Sequence, residues 1–133
     1  MNDKFKESLN YFNEGDYIKG ISTLEALLKI NEESSAIYNN LGAAYMKIGN
    51  YDEAELNFNK AIKYGNFPNN IYYNLAELNT LKGDLHSSTN LHLANNHYRL
   101  ALDFINIYLK NNKTDINSIK LKNNLEKHLN RAF

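Results

Sequence analysis

Four histidines are the side chains of this sequence best suited to bind a metal or move a proton: His86, His92, His97 and His128. Two histidines on one helix share a metal ion when they are three or four residues apart. His92 and His97 are five residues apart, and His86 and His92 are six apart. We therefore expect no metal site, and we expect exposed histidines on an irregular segment.

Nucleophilic and phosphate-binding motifs are missing as well. The sequence has no cysteine, which excludes disulfides, thiolate zinc sites and a cysteine nucleophile. It contains no G-x-x-x-x-G-K, G-x-G-x-x-G or G-x-S-x-G motif. The acidic pairs Asp52-Glu53 and Glu32-Glu33 lie near predicted helix starts, where carboxylates favour the helix dipole. We therefore expect a protein that is not an enzyme and uses no cofactor.

Charge and length restrict the partners. The 133 residues suffice for one domain, and 15 basic side chains balance 15 acidic ones. A nucleic-acid-binding protein would show an excess of positive charge, so we expect no nucleic-acid partner. The charged N-terminus lacks an apolar stretch, and no apolar run of 18 residues occurs, so we expect a cytoplasmic location without membrane contact.

Asparagine is over-represented, with 24 copies in the chain. Such a bias is typical either of low-complexity disorder or of AT-rich codons overlaid on an ordinary fold. The 43% hydrophobic content and ten tyrosines favour the fold, because disordered chains lack such side chains. We therefore expect most of the asparagines at the surface, with Asn79 as the exception at a core position.

Three glycines repeat at a fixed distance of 34 residues: Gly15, Gly49 and Gly83. Each is followed by a polar and then an apolar residue. Glycine adopts the left-handed conformation after a helix, and Asp or Asn beside it caps the next helix. The spacing predicts three helix–turn–helix corners in a protein of stacked repeats.

The middle repeat carries the most complete pattern. Its apolar and small residues recur three and four positions apart, as amphipathic helices require. They are Tyr38, Leu41, Gly42, Tyr45, Ala54, Phe58 and Ala61, and Pro68 follows. Gly42 and Ala54 would let two helices approach closely, and Phe58 would fill the space around them.

This pattern resembles the tetratricopeptide repeats, whose first helix carries an aromatic residue, Leu-Gly and Tyr, and whose second helix carries Ala, an aromatic residue and Ala. In repeat three the second-helix pattern reappears six residues late, as Ala94, Tyr98 and Ala101. The resemblance implies an all-α fold, a right-handed superhelical stack of antiparallel helix pairs. It implies a single domain over residues 1–133, with repeats at about 1–34, 35–68 and 69–108.

Seven helices follow from the pattern. We predict them near residues 3–14, 17–30, 35–48, 51–64, 69–82, 86–111 and 115–131. The six extra residues in repeat three form either added turns at the front of the helix 86–111 or a loop over 86–90.

The last helix, about 114–131, is predicted to cover the apolar end of the stack. Its apolar face would comprise Ile116, Ile119, Leu125 and Leu129, with Leu121 off that stripe. The alternative is that this helix lies in the groove or exchanges with a second copy, which would make a homodimer.

The resemblance also implies a peptide-binding groove lined by the first helix of each repeat. Transferred onto this sequence, its residues are Phe5, Leu9, Phe12, Asn39, Asn40, Ala43, Met46, Lys47, Asn70, Tyr73, Asn74 and Glu77, with Asn2, Ala36 and Leu81 beside them. Asn40 and Asn74 stand one period apart, and their amides could pair with a peptide backbone. We expect a protein or peptide partner with neutral or apolar side chains.

Three functions fit this groove. The first is an adaptor that binds a protein segment. The second is a chaperone for a secretion-system substrate, and the third is a self-associating scaffold. A carboxylate clamp of the kind that binds Hsp90 or Hsp70 tails is not expected, because the lysine and arginine members of the clamp are missing. Of the matching positions, only Asn40 fits; the others are Phe5, Leu9, Asn70 and Asn74.

Overall fold

The computed structural model describes residues 3–31, 33–65, 68 and 70–130. Within these ranges the chain forms seven α-helices and no strand. They are α1 (Asp3–Asn13), α2 (Tyr17–Leu28), α3 (Ser35–Lys47), α4 (Tyr51–Lys63), α5 (Ile71–His86), α6 (Leu91–Leu109) and α7 (Ile116–Asn130). The predicted all-α fold is confirmed. None of these helices combines the length and the hydropathy needed to cross a membrane.

The chain divides into two compact units, Met1–Pro68 and Asn69–Phe133. In the first unit α1 packs on α2, α2 on α3, and α3 on α4. In the second unit α5 packs on α6, and α6 on α7. Each unit has its own apolar core.

Two of the three predicted corners form as expected. Gly15 and Gly49 have positive φ angles of 81° and 83°, which an L side chain adopts at a cost. The next residue caps the following helix in both cases: the Asp16 side chain accepts from a backbone N–H of α2, and the Asn50 side chain from one of α4. These short connections make the paired helices antiparallel neighbours.

The helices α3 and α4 approach each other closely at Gly42. A Cβ atom at this position would lie 2.6 Å from the ring of Phe58, a distance too short for two carbon atoms. Phe58 and Ala54 of α4 are fully buried. The predicted role of the small residues in this hairpin is confirmed.

The prediction of a third corner at Gly83 is wrong. Gly83 lies inside α5 and is buried, and the chain turns only after His86. A Cβ atom at Gly83 would lie 2.5 Å from the ring of Tyr98, so this glycine admits the aromatic residue of α6. Its counterpart in the first unit is therefore Gly42, which lies against Phe58, and not the corner residue Gly49.

The six extra residues extend the end of α5 and the connection to α6, and they do not lengthen the front of α6. The helix α5 continues to His86, past the predicted end at residue 82, and α6 starts at Leu91 instead of residue 86. The connection between them ends at Asn90, whose side chain accepts from the backbone N–H of Leu93. The loop alternative is closer to the structure, because this cap fixes the start of α6.

Half of the apolar stripe predicted for α7 is buried, and the other half is exposed. Leu125 is fully buried and Leu129 packs on the core of the second unit, as expected. Ile116 and Ile119 are exposed, whereas Ser118 is fully buried and Leu121 packs on the core. The small Ser118 side chain hydrogen-bonds Asp115, which satisfies its hydroxyl and lets α7 face α6 with this side.

Asparagine enters the core more often than expected. Asn79 is buried as predicted: its amide nitrogen donates to Leu75 O at 2.9 Å, and its Oδ1 lies 3.2 Å from His97 Nδ1. Asn39, Asn57 and Asn95 are buried too. The Asn57 amide donates to Glu53 O, one helical turn earlier, so a helix backbone supplies part of what these amides need.

Tyr98 links all three helices of the second unit. Its ring lies against Gly83 of α5 and stacks on the ring of His128 in α7, with 4.6 Å between the ring centroids. Its hydroxyl donates to Asp84 Oδ1 at 2.7 Å. Burial and this hydrogen bond raise the pKa of Tyr98 to about 12.

The raised pKa predicts a loss of stability in alkali. An unfolded tyrosine has a pKa of about 10, so the fold favours the neutral phenol. The stabilisation is complete below about pH 10 and is lost as the pH rises through the folded-state pKa of about 12. We expect the free energy of unfolding to fall more steeply over this window in the wild type than in Tyr98→Phe. Equal slopes in urea titrations at stepped pH would contradict this.

Candidate functional site

A pocket opens in the first unit between α1 and α3, and its volume is about 270 Å³. It is lined by Leu9, Phe12, Asn13, Tyr17, Asn40, Ala43, Ala44 and Lys47. Five of these residues belong to the predicted groove: Leu9, Phe12, Asn40, Ala43 and Lys47. The structure therefore brings five of the eight predicted groove residues of α1 and α3 together in one hollow.

The apolar wall of the pocket depends on a glycine in α2. A Cβ atom at Gly20 would lie 2.2 Å from the ring of Phe12, so only glycine lets this ring lie against α2. The Phe12 ring then stacks on Tyr17, with 6.0 Å between the centroids. Leu9 and Ala43 extend the same wall. Tyr17 was missed from sequence because it belongs to a second helix, whereas the family pattern assigns the groove to first helices.

The polar side of the pocket is formed mainly by amides. The Asn40 nitrogen donates to Ala36 O at 2.9 Å, one turn earlier in α3, which fixes the orientation of the side chain. Its amide oxygen is left to accept a hydrogen bond. Asn13 adds a second amide, and Lys47 is the charged residue among those that line the pocket. Lys47 is exposed, so water screens its charge.

Three predicted groove residues of the first unit are buried instead. Asn39 and Met46 in α3 are buried, and Phe5 in α1 belongs to the apolar core. Phe5 lines a different hollow together with Ala36, Leu27 and Ile37. These side chains pack between the helices and expose little surface to a ligand in this pocket. Asn2 lies outside the described residues.

The predicted groove residues of the second unit share one face of α5 and its start. Asn70 precedes the helix and is exposed, while Tyr73, Asn74 and Glu77 are half-buried, as is Leu81. The Tyr73 ring lies 5.6 Å from that of Tyr108. Burial, then the charges of Glu77 and Asp115, raise the pKa of Tyr73, so it stays a neutral hydroxyl. Part of the Tyr73 side chain therefore packs against α6.

Two of the histidines are in contact, which their spacing in the sequence did not predict. His86 at the end of α5 stacks on His97 of α6, with 6.1 Å between ring centroids and 15° between ring planes. Parallel stacked rings do not direct their nitrogens at a common ion. Among the described residues, no group of three or more metal-binding side chains occurs.

Comparisons with known proteins agree with this architecture. The family model of the tetratricopeptide repeat matches residues 35–64, which comprise α3, the Gly49 corner and α4. No curated protein sequence matches the chain.

Solved structures share the fold at low sequence identity. One is the second tetratricopeptide domain of Spaghetti (RPAP3) bound to an HSP90 peptide: it is 20% identical with a TM-score of 0.58, and the match covers 77% of this chain and 89% of that one. Another is the Yersinia enterocolitica type III secretion translocator chaperone SycD, 19% identical with a TM-score of 0.62, over 97% of this chain and 80% of that one.

SycD has also been solved with a peptide of the translocator YopD. That complex is 19% identical to this chain with a TM-score of 0.62, over 97% of this chain and 88% of that one. The family model, the two glycine corners and these neighbours agree with one another. Residues 35–64 match the model of the tetratricopeptide repeat, and the chain shares its fold with these solved structures.

Proposed function

We propose that this chain is a non-catalytic interaction module that binds a segment of another protein in the pocket between α1 and α3. The observation that carries the proposal is the convergence of Leu9, Phe12, Asn40, Ala43 and Lys47 on one hollow. Peptide complexes of RPAP3 and SycD, which share the fold, support the same class of ligand.

The size of the pocket favours a peptide side chain over a free small molecule. Its volume of about 270 Å³ lies below the range of roughly 300–1,000 Å³ that drug-sized ligands occupy. An apolar side chain would lie against Leu9, Phe12 and Ala43, where it would displace water from an apolar surface. The neighbouring peptide bond would lie beside Asn40, whose amide oxygen accepts a backbone N–H.

The charge of the pocket favours a neutral partner. Lys47 is exposed at the rim, and a single screened charge contributes little to affinity. Asn13 and Asn40 carry no charge. We therefore propose a segment with apolar and neutral side chains rather than an acidic tail that would need several basic residues.

Selection of peptides from a random display library tests this function. We expect wild-type protein to enrich peptides that carry apolar side chains. Ala43→Arg places a long charged side chain in the pocket and should weaken binding of the enriched peptides at least about tenfold, or about 1.4 kcal/mol. Fluorescence anisotropy with the labelled peptides measures the change.

Ala26→Arg is the matched control, because Ala26 is an exposed alanine of α2 that does not line this pocket. It should bind the peptides as the wild type does. Equal affinity of the two variants would remove the pocket from the proposal. Enrichment of acidic peptides only, lost when their terminal carboxylate is blocked, would overturn the neutral partner.

The cellular role is proposed at two levels. We propose that both units act as one cytoplasmic domain, with repeats at about 1–34, 35–68 and 69–108, and that the chain is an adaptor. A chaperone for a secretion-system substrate is the second candidate, favoured by a shared fold with SycD over 97% of this chain. A chaperone would keep its substrate soluble after co-expression, whereas an adaptor would bind a partner that is soluble alone.

A further inference from the structure

Gly20 differs from the two other glycines that lie inside a helix against an aromatic ring. Gly42 and Gly83 lie in the first helix of a hairpin, and each receives a ring from the second helix. Both of those rings are at most 2% exposed. Gly20 lies instead in the second helix, α2, and receives the ring of Phe12 from α1. This ring is only half-buried, because it also lines the pocket between α1 and α3.

The contact between Gly20 and Phe12 is close along one edge of the ring. A Cβ atom at Gly20 would lie 2.2 Å from Cε1, 2.5 Å from Cδ1 and 2.8 Å from Cζ of Phe12. Carbon atoms in ordinary contact are about 3.5–4.0 Å apart, so a larger residue at position 20 would displace the ring by more than about 1 Å. The three nearest atoms all belong to the Phe12 ring, so the side chain would move rather than a helix backbone.

A displaced Phe12 ring would enter the pocket. Tyr17 of α2 stacks on the ring, with 6.0 Å between the centroids, and α2 itself closes the side of Gly20. The open space that the ring borders is the pocket of about 270 Å³. The residue at position 20 therefore decides how much room remains beside Leu9 and Ala43, which line the same pocket.

We propose that Gly20 is a positioning residue that sets the size of the side chain accepted by the pocket, and that the bound segment presents a large apolar side chain such as leucine. This inference rests on the proposed function of the pocket. Gly20 does not line the pocket and acts through the Phe12 ring. Glycine lets the ring lie back against α2, which leaves depth for a branched side chain, and burial of its apolar surface favours binding.

Fluorescence anisotropy of the full chain with two forms of one peptide tests the proposal. The peptide is one that wild-type protein selects from the display library, resynthesised with leucine or alanine at the apolar position that contributes most to affinity. We expect the wild type to bind the leucine form at least about tenfold more tightly than the alanine form. Gly20→Ala should weaken binding of the leucine form at least about fivefold and leave the alanine form unchanged, because overpacking penalises the ligand that needs the space.

A second substitution separates positioning from a general loss of stability. Phe12→Leu removes Cε1 and Cζ, two of the three atoms that crowd position 20, and leaves a flexible side chain. Adding Gly20→Ala to Phe12→Leu should therefore leave the affinity for the leucine form unchanged. Phe12→Leu alone widens the pocket and should favour a phenylalanine form of the peptide over the leucine form, which tests the role of the ring without changing Gly20.

Gly83→Ala is the matched control, because it crowds the ring of Tyr98 in the same way but in the second unit. It should keep the wild-type preference for the leucine form. Alanine is a better helix former than glycine, so we expect Gly20→Ala to fold, with the helix content of the wild type by circular dichroism.

Failure of this inference and failure of the proposed function give different results. Wild-type protein that binds neither form of the peptide removes the function of the pocket and the size selection with it. An unchanged preference in Gly20→Ala, beside a clear preference in the wild type, overturns the role of Gly20 and leaves the function standing. Equal losses for Gly20→Ala with and without Phe12→Leu overturn it as well, since Gly20 would not act through the ring.

Discussion

Leu125→Ala is expected to lower the free energy of unfolding by about 2–5 kcal/mol, the usual cost of truncating a buried leucine. Leu125 is fully buried in the core of the second unit, where it packs with Tyr98, Ala101 and Ile105. Its removal leaves a cavity beneath the centre of α7. Urea unfolding followed by circular dichroism measures the loss.

Ile116→Ala supplies the control for this change on the same helix. Ile116 is 65% exposed, so its truncation should alter the free energy of unfolding by less than about 0.5 kcal/mol. The pair also tests which face of α7 is buried. A loss for Ile116→Ala as large as that for Leu125→Ala would mean that the whole stripe predicted from sequence is buried, and not only its C-terminal half.

Phe58→Ala is expected to cost about 3–5 kcal/mol, the range for a fully buried aromatic side chain. The Phe58 ring is fully buried and lies where the absent Cβ of Gly42 would be. Glycine leaves no side chain that could relax into the space, so the cavity would persist between α3 and α4. The same unfolding measurement applies.

Leu56→Ala is the matched control for Phe58→Ala, since Leu56 lies two residues earlier in α4 and is 47% exposed. Its effect should stay below about 0.5 kcal/mol. A loss of under 1 kcal/mol for Phe58→Ala would show instead that α3 and α4 close over the missing ring. The close approach at Gly42 would then contribute little to the stability of the repeat.

The fold was largely predictable because local signals and the 34-residue period coincide. Gly15 and Gly49 need positive φ angles, and Asp16 and Asn50 supply the caps, so each corner is encoded within a few residues. Gly83 shows the limit of that reasoning. Two glycines that look alike in sequence can serve a turn or a close helix crossing, and only the aromatic residue opposite distinguishes them.

The buried face of α7 was harder to predict, because a serine marks it. Ile116 and Ile119 are the stronger apolar residues, yet Ser118 faces the core with its hydroxyl bonded to Asp115. Hydrophobicity ranks isoleucine above serine and cannot register how closely two helices approach. Which face of α7 is buried depends on the shape of the neighbouring helix, and the sequence of α7 alone does not encode that shape.

The sequence predicted which helix faces form the candidate site, but it did not predict the position of every residue on those faces. Leu9, Asn40 and Ala43 line one pocket as the family pattern implies. Asn39 and Met46 lie on the margin of the same face of α3 and are buried. A rotation of a few tens of degrees decides whether a marginal side chain faces solvent or core, and packing against α2 and α4 sets that rotation.

The displaced glycine of repeat three bears on how repeat proteins change length during evolution. Gly42 lies in the second half of α3 and Gly83 in the last turn of α5, and they receive Phe58 and Tyr98 from the following helix. Residues gained near a turn therefore need not disturb the rest of a hairpin, provided that a small residue is available at the new crossing. A helical hairpin of this kind can lengthen by a turn and keep its core.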